Sequence, residues 1–229
     1  MIEDDDGYTA QTEAFLDCLR VRRDPAANPR AFPDLLGTLA WTNDDNGHTL
    51  ERVRERWLRE GDLGRTELAF AMNDVYPGRT RAEILANVTA AVERYPQFRA
   101  EADKILENWD GRHRPEPPEE PFQVLEWDPA PPMTLAGAVE FIADHPGANG
   151  PPKHFSEIID ELLPCLAAEA QAEIHAVCDA WAVGDDDWRA AIAAWMEVPA
   201  PGRTKADLVR RREEVIARFS RVARADNYW

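Results

Sequence analysis

Apolar residues recur along this chain at spacings of three and four positions, a pattern typical of amphipathic α-helices. Leu50, Val53 and Trp57 follow this spacing, and the segment that ends at Trp181 repeats it. Alternation with a period of two, which is typical of strands, is confined to the short run at 122–125. The pattern therefore predicts an all-α fold.

Proline, glycine and capping residues divide this pattern into separate helices. Thr80 and Thr204 each stand three residues before an acidic side chain, the spacing of a capping box. Thr134 and Asp185 are further predicted N-caps. The predicted helices span 9–23, 31–41, 49–60, 65–74, 80–95 and 97–109, followed by 134–144, 154–163, 166–183, 186–197 and 204–225.

One segment of the chain occurs twice: residues 50–102 align without a gap with residues 174–226. The identical pairs are Val53/Val177, Trp57/Trp181, Asp62/Asp186, Ala69/Ala193, Met72/Met196, Ala82/Ala206, Arg94/Arg218 and the Pro-Gly-Arg-Thr turns at 77–80 and 201–204. Because apolar and turn positions coincide, the copies are expected to share a fold. We therefore predict an internally duplicated protein with helical modules at 9–110 and 134–229, each with about five helices.

Residues 111–133 separate the two predicted modules. This segment holds seven of the chain's 18 prolines and four glutamates. Proline favours extended backbone and removes hydrogen-bond donors, so a semi-rigid linker is predicted. Phe122, Val124, Leu125 and Trp127 are too apolar for a solvated spacer, and we expect them to pack along a module surface.

Charge narrows the range of partners. The 229 residues include 43 acidic and 26 basic side chains, for a formal net charge of −17. The excess is concentrated in residues 134–200, which hold 12 acidic and two basic side chains. Phosphate groups repel such a surface, so neither nucleic acid nor a membrane is expected as a partner. A basic protein is the expected partner, while charge that serves only solubility stays open as the alternative.

Cysteine usage and hydropathy indicate a cytoplasmic protein. Cys18, Cys165 and Cys178 are an odd number without CxxC spacing, which favours reduced thiols. The first residues are acidic where a signal peptide would be basic and then apolar. No apolar run approaches the roughly 20 residues that a membrane helix needs.

Candidate chemistry is sparse. His175, Cys178 and Asp179 have a possible metal-ligand spacing on one helix. However, Cys178 falls in an apolar stripe, and the aligned positions of the first copy hold neither histidine nor cysteine. We therefore expect no metal and no cofactor. No G-x-S-x-G, P-loop or HExxH motif occurs, so no catalytic residue is assigned.

The repeated Pro-Gly-Arg-Thr turns could act in either of two ways. Arg79 and Arg203 stand just before a predicted helix, where an anion could bind. We favour the other possibility, in which each arginine forms a salt bridge with a local acid and fixes the turn.

Tryptophans fall into two groups. Trp57 and Trp181 are aligned and lie on apolar stripes, so we assign them to the core. Five other tryptophans either anchor an interface with a partner or pack between the modules: Trp41, Trp127, Trp188, Trp195 and Trp229.

These features favour a non-catalytic protein that masks a basic partner, such as an immunity or antitoxin-type inhibitor. The segment Phe32–Gly37, six residues of 229, is similar to one in helical bacterial immunity proteins, which is too short to assign a family. The residues expected to contact the partner are Asp44, Asp45, Asp185, Asp186, Asp187 and Trp188.

Two alternatives remain open at this stage. One is an enzyme with its site between the modules, where Glu157, Asp160 and Glu161 would act with His154 or His175; their pKa values should then be strongly shifted. The other is a scaffold subunit that self-associates through apolar patches.

Overall fold

The fold is known from a computed structural model, which describes residues 5–28, 31–41, 47–72, 76–112, 127–144, 152–200 and 202–218. These residues form 11 α-helices and no strand, which confirms the predicted all-α class. The helices are α1 (Asp5–Arg22), α2 (Ala31–Trp41), α3 (His48–Glu60), α4 (Leu63–Ala71), α5 (Arg81–Arg94), α6 (Arg99–Arg112), α7 (Leu135–Ala143), α8 (Pro152–Leu162), α9 (Ala168–Val183), α10 (Asp187–Trp195) and α11 (Lys205–Arg218). Short 3₁₀ turns at Pro96–Phe98 and Leu163–Cys165 precede α6 and α9.

Each predicted helix has a counterpart, and the predicted extended run at 122–125 lies outside the described residues. Three of the predicted caps are confirmed. The Glu83 amide donates to Thr80 Oγ1 at 3.2 Å, and the Thr80 amide donates back to the Glu83 carboxylate at 3.2 Å. Thr204 and Asp207 exchange the same two bonds, at 3.3 and 2.8 Å. Thr134 Oγ1 accepts from the amide of the third residue of α7 at 3.0 Å.

The predicted cap of α10 is wrong by one residue. Gly184 ends α9 by donating its amide to the Ala180 carbonyl at 2.9 Å, which leaves Asp185 between the two helices. Asp186 is the cap, and its Oδ1 accepts from the amides of Trp188 at 3.0 Å and Arg189 at 3.1 Å. The aligned residue Asp62 caps α4 in the same way, so the alignment identifies the position that local sequence missed.

The two halves of the chain share one hydrophobic core. α1 packs on α7, where the Phe141 ring lies 5.1 Å from Phe15 and 5.9 Å from Tyr8 between centroids. α2 packs on α8. Backbone bonds extend this contact beyond α1, because the Asp24 amide donates to the Cys165 carbonyl at 2.9 Å.

Four of the described tryptophans belong to this core: Trp57, Trp109, Trp127 and Trp181. Trp57 is 1% and Trp181 is 7% exposed, so their assignment to the core is confirmed. Trp127, at the end of the predicted linker, is 7% exposed, and it packs on the first half as expected. Phe122, Val124 and Leu125 lie outside the described residues. Among the described helices, none combines the length and apolarity required to cross a bilayer.

Candidate functional site

Four of the six predicted contact residues lie at the start of α10. Asp185 and Asp186 are exposed, and Asp187 is half-buried in the first turn. Asp44 and Asp45 lie outside the described residues, so the structure says nothing about them. That these acids touch a partner stays a prediction.

Trp188 is used mainly inside the fold. Its indole nitrogen donates to the Ala143 carbonyl at 3.0 Å, and its ring meets Phe155 edge-on at 5.5 Å between centroids. Trp195 is half-buried, with the Arg212 guanidinium 4.3 Å from its ring centroid. The side chains of Trp41 and Trp229 lie outside the described set. The described tryptophans therefore pack within the molecule, and contact of Trp188 with a partner remains a prediction.

Arg189 of α10 joins three carboxylates at this corner. It donates to Glu140 at 2.6 Å, to Asp144 at 2.6 and 2.7 Å, and to Asp186 at 2.6 Å. Burial alone would lower the pKa of Arg189, but its hydrogen bonds to Glu140 and Asp186 raise it. Burial would likewise raise the pKa of Asp186, yet bonds from the Arg189 backbone and side chain lower it. These bonds to Arg189 thus favour the ionised form of Asp186.

A tryptophan completes this cluster. The Trp181 indole nitrogen donates to Glu140 Oε1 at 2.8 Å, while Arg189 holds the other oxygen of the same carboxylate. The Arg189 guanidinium also lies 6.0 Å from the Trp181 ring centroid, within cation–π range. The cluster ties α7, α9 and α10 together.

The first half contains the same arrangement on α1, α3 and α4. Trp57 donates its indole nitrogen to Glu13 Oε1 at 2.9 Å. Arg65 forms an ion pair with Asp17, lies 3.9 Å from Glu13, and lies 5.8 Å from the Trp57 ring centroid. Asp62 caps the helix that carries Arg65.

Sequence reasoning missed the acidic members of both clusters. Glu13 with Asp17, and Glu140 with Asp144, share an i, i+4 spacing, but they are 127 residues apart rather than 124. An ungapped alignment cannot pair them. The sequence feature that could have identified them is the acidic pair at i, i+4, which occurs once before each of the two aligned tryptophans.

Glu13 differs from Glu140 in having a second indole donor. Trp127 donates to Glu13 Oε2 at 3.0 Å, and Arg56 reaches the same oxygen at 3.3 Å. Arg56 also lies 4.7 Å from the Trp127 ring centroid. Glu13 is only 5% exposed, so these donors satisfy a buried carboxylate.

The Pro-Gly-Arg-Thr turns pair with local acids, as predicted. Arg203 donates two hydrogen bonds to Asp179, at 2.6 and 2.5 Å. Arg79 lies 4.0 Å from Glu51. Gly78 has φ +140°, a value that side chains rarely adopt, so this turn requires glycine.

Around these turns the two halves differ. Asp179 receives a further bond from Arg211 at 2.9 Å. Its aligned residue Glu55 has no hydrogen bond or ion pair with any described residue, although it is only 8% exposed. Burial, and then the negative charge of Glu51, raises the pKa of Glu55 to about 7. Asn87 stands where the second half has Arg211.

The residues of the enzyme alternative have separate structural neighbours. Half-buried His154 lies 3.9 Å from exposed Glu157. Asp160 accepts the amides that follow α10, at 2.6 and 3.0 Å, and burial raises its pKa. Burial lowers the pKa of His175. Exposed Glu161 forms no ion pair in the described part of the chain, and no group of three metal-ligating side chains occurs there.

Acidic residues dominate the surface of α7–α10. Its two basic side chains are already engaged, because Lys153 lies 3.8 Å from Glu157 and Arg189 holds three carboxylates. Between residues 134 and 200, four exposed glutamates form no ion pair with a described residue: Glu161, Glu169, Glu173 and Glu197.

A scan against protein-family models gave no match, and searches of curated proteins and of solved structures gave none either.

Proposed function

We propose that this chain is a non-catalytic, cytoplasmic protein that binds and masks a basic protein partner, in the manner of an immunity or antitoxin-type inhibitor. One observation carries the proposal. Helices α7–α10 expose many carboxylates, and the two basic side chains of that segment, Lys153 and Arg189, already form ion pairs within it. Uncompensated charge of one sign attracts a partner of the opposite sign and steers its approach.

The proposed contact surface begins at the corner between α9 and α10. Asp185 and Asp187 lie on either side of the capping residue Asp186 without serving as the cap themselves. Asp186 caps α10, and the Trp188 side chain contacts α7 and α8. Asp44 and Asp45 are included as contact residues on the basis of the sequence alone.

We further propose that the protein arose by duplication, with modules at 9–110 and 134–229 and the linker at 111–133. Two observations support this. Residues 63–71 and 187–195, and 81–94 and 205–218, are helical at an offset of 124 in both cases. In addition, α1 meets α7 and α2 meets α8, which is the pattern expected when equivalent elements pack across an approximate twofold axis.

The test is a pull-down from a cell lysate with the full tagged chain as bait. Bound proteins are eluted in steps of rising salt concentration. Retention of one basic protein that salt releases supports the proposal, because screening weakens exposed charge pairs. Self-association with no retained protein would instead favour a scaffold, and a co-purified small molecule would favour an enzyme.

Matched variants sharpen this test. One variant removes four exposed charges from the second half and should weaken retention of the basic protein. It combines Glu161→Gln, Glu169→Gln, Glu173→Gln and Glu197→Gln. The control removes as many exposed acids from the first half, as Glu67→Gln, Glu93→Gln, Glu101→Gln, Glu107→Gln, and should retain the partner. Equal losses in both variants would overturn the assignment to the second half.

Asp185→Asn with Asp187→Asn tests the predicted corner itself. This variant should weaken retention of the basic protein, and a cooperative unfolding transition checks that the variant remains folded. Unchanged retention would remove these two residues from the proposed surface.

A further inference from the structure

Glu55 of α3 is a buried acid that lacks the counter-ion its aligned residue possesses. In the second half, Asp179 is bound by Arg203 from the turn and by Arg211 from α11. In the first half, Arg79 of the equivalent turn lies 4.0 Å from Glu51 instead. Glu55, 8% exposed, is left without a hydrogen bond or ion pair among the described residues.

A buried acceptor without a donor lies at the sequence position that aligns with the missing cation. Asn87 of α5 aligns with Arg211 and is 1% exposed. Its amide nitrogen donates to the Pro77 carbonyl at 2.8 Å, while its Oδ1 is buried and has no donor. Buried polar atoms are nearly always hydrogen-bonded, so the Asn87 Oδ1 without a donor, at the position that aligns with Arg211, points to an absent donor.

Charges around Glu55 favour a cation as that donor. Glu51 on the same helix and Glu83 on α5 add negative potential, which Arg59 and Arg79 only partly offset. Burial and Glu51 raise the pKa of Glu55 to about 7, because the charges of Arg59 and Arg79 do not compensate them. A planar guanidinium has several donors and can bind a carboxylate and an amide oxygen together.

We propose that Glu55 and Asn87 receive one arginine guanidinium from the basic partner, at the position that Arg211 fills in the second half. This inference rests on the proposed function, because it names the part of the partner that is bound. The second half fills the same position with its own Arg211, which donates to Asp179.

The test follows the Glu55 carboxyl by NMR in the full chain with ¹³C-labelled glutamate, assigned by Glu55→Gln. N-acetyl-arginine amide is the probe, and sodium chloride at equal ionic strength is the control. With the probe at ten times its Kd, the Glu55 midpoint should fall by about one pH unit, because the probe binds the ionised form. The exposed carboxyl of Glu60 on the same helix should not respond.

Three results would overturn the site. They are an unchanged Glu55 midpoint, an equal shift with sodium chloride, or an equal shift with N-acetyl-lysine amide, which would remove the preference for a guanidinium. A second variant, Asn87→Arg, supplies the arginine of the second half. It should lower the Glu55 midpoint without the probe and abolish the response to it; a retained response would count against the site.

The outcome is separable from that of the pull-down. An unresponsive Glu55 in a chain that still retains a basic protein overturns this inference alone. A responsive Glu55 in a chain that retains no basic protein supports the guanidinium site and overturns the proposed function.

Discussion

Each of the two aligned tryptophans donates its indole N–H to a glutamate, but the two glutamates differ in burial. The stability lost on removing each hydrogen bond should therefore differ. Trp57 donates to Glu13, which is 5% exposed, whereas Trp181 donates to Glu140, whose side chain is 40% exposed. Removing a donor from a buried carboxylate costs its desolvation, while water can replace the donor at an exposed one. Trp57→Phe should therefore destabilise the fold by about 1–3 kcal/mol, and Trp181→Phe by under about 1 kcal/mol. Urea unfolding measures both, and equal losses would contradict the contrast.

Truncation of either tryptophan tests the core itself. Trp57→Ala and Trp181→Ala should each cost roughly 3–5 kcal/mol, as truncations of core aromatic residues do. A loss of under about 1 kcal/mol at both positions in urea unfolding would contradict their place in the core.

Glu55 should make stability depend on pH in a defined window. The pKa of its carboxyl is raised from 4.5 to about 7 on folding, so the folded state holds the proton more tightly. Its contribution is therefore favourable below about pH 4.5 and is lost as the pH rises towards 7. Glu55→Gln cannot ionise, and its stability relative to the parent chain should rise across this window by at most about 3 kcal/mol. Unfolding midpoints measured from pH 4 to 8 check this, with Glu60→Gln as the control. A constant difference between Glu55→Gln and the parent chain would contradict it.

At the scale of elements, the caps of α4 and α10 should differ in strength. Asp62 accepts one backbone amide, at 2.8 Å, whereas Asp186 accepts two and also pairs with Arg189 at 2.6 Å. Loss of a cap costs about 0.5–2 kcal/mol, so Asp62→Ala should lie at the low end and Asp186→Ala at the high end. Amide exchange along α10 should rise more in Asp186→Ala than exchange along α4 rises in Asp62→Ala. The reverse order would mean that the Arg189 cluster contributes little to α10.

Helices were predictable because their signals are local, whereas the clusters between them are not. Periodicity and the caps at Thr80, Thr134 and Thr204 need only neighbouring residues. The bonds from Trp57 to Glu13 and from Trp127 to Glu13 join residues 44 and 114 positions apart. Only the tertiary packing creates these contacts. The missing ion pair of Glu55 became visible only when the structure paired the aligned Asp179 with Arg211.

At the scale of the molecule, the seam between α1 and α7 decides whether the halves unfold together. Phe141 packs on Phe15 and Tyr8 there, within a core that contains residues from both halves. A shared core predicts one cooperative transition, with tryptophan fluorescence and far-UV circular dichroism changing at the same urea concentration. Phe141→Ala should lower the free energy of unfolding by roughly 2 kcal/mol, which is less than for a fully buried ring, without splitting the transition. Two separate transitions in the parent chain would show that the halves are independent modules. If the split occurred only in Phe141→Ala, the seam would be the sole coupling between them.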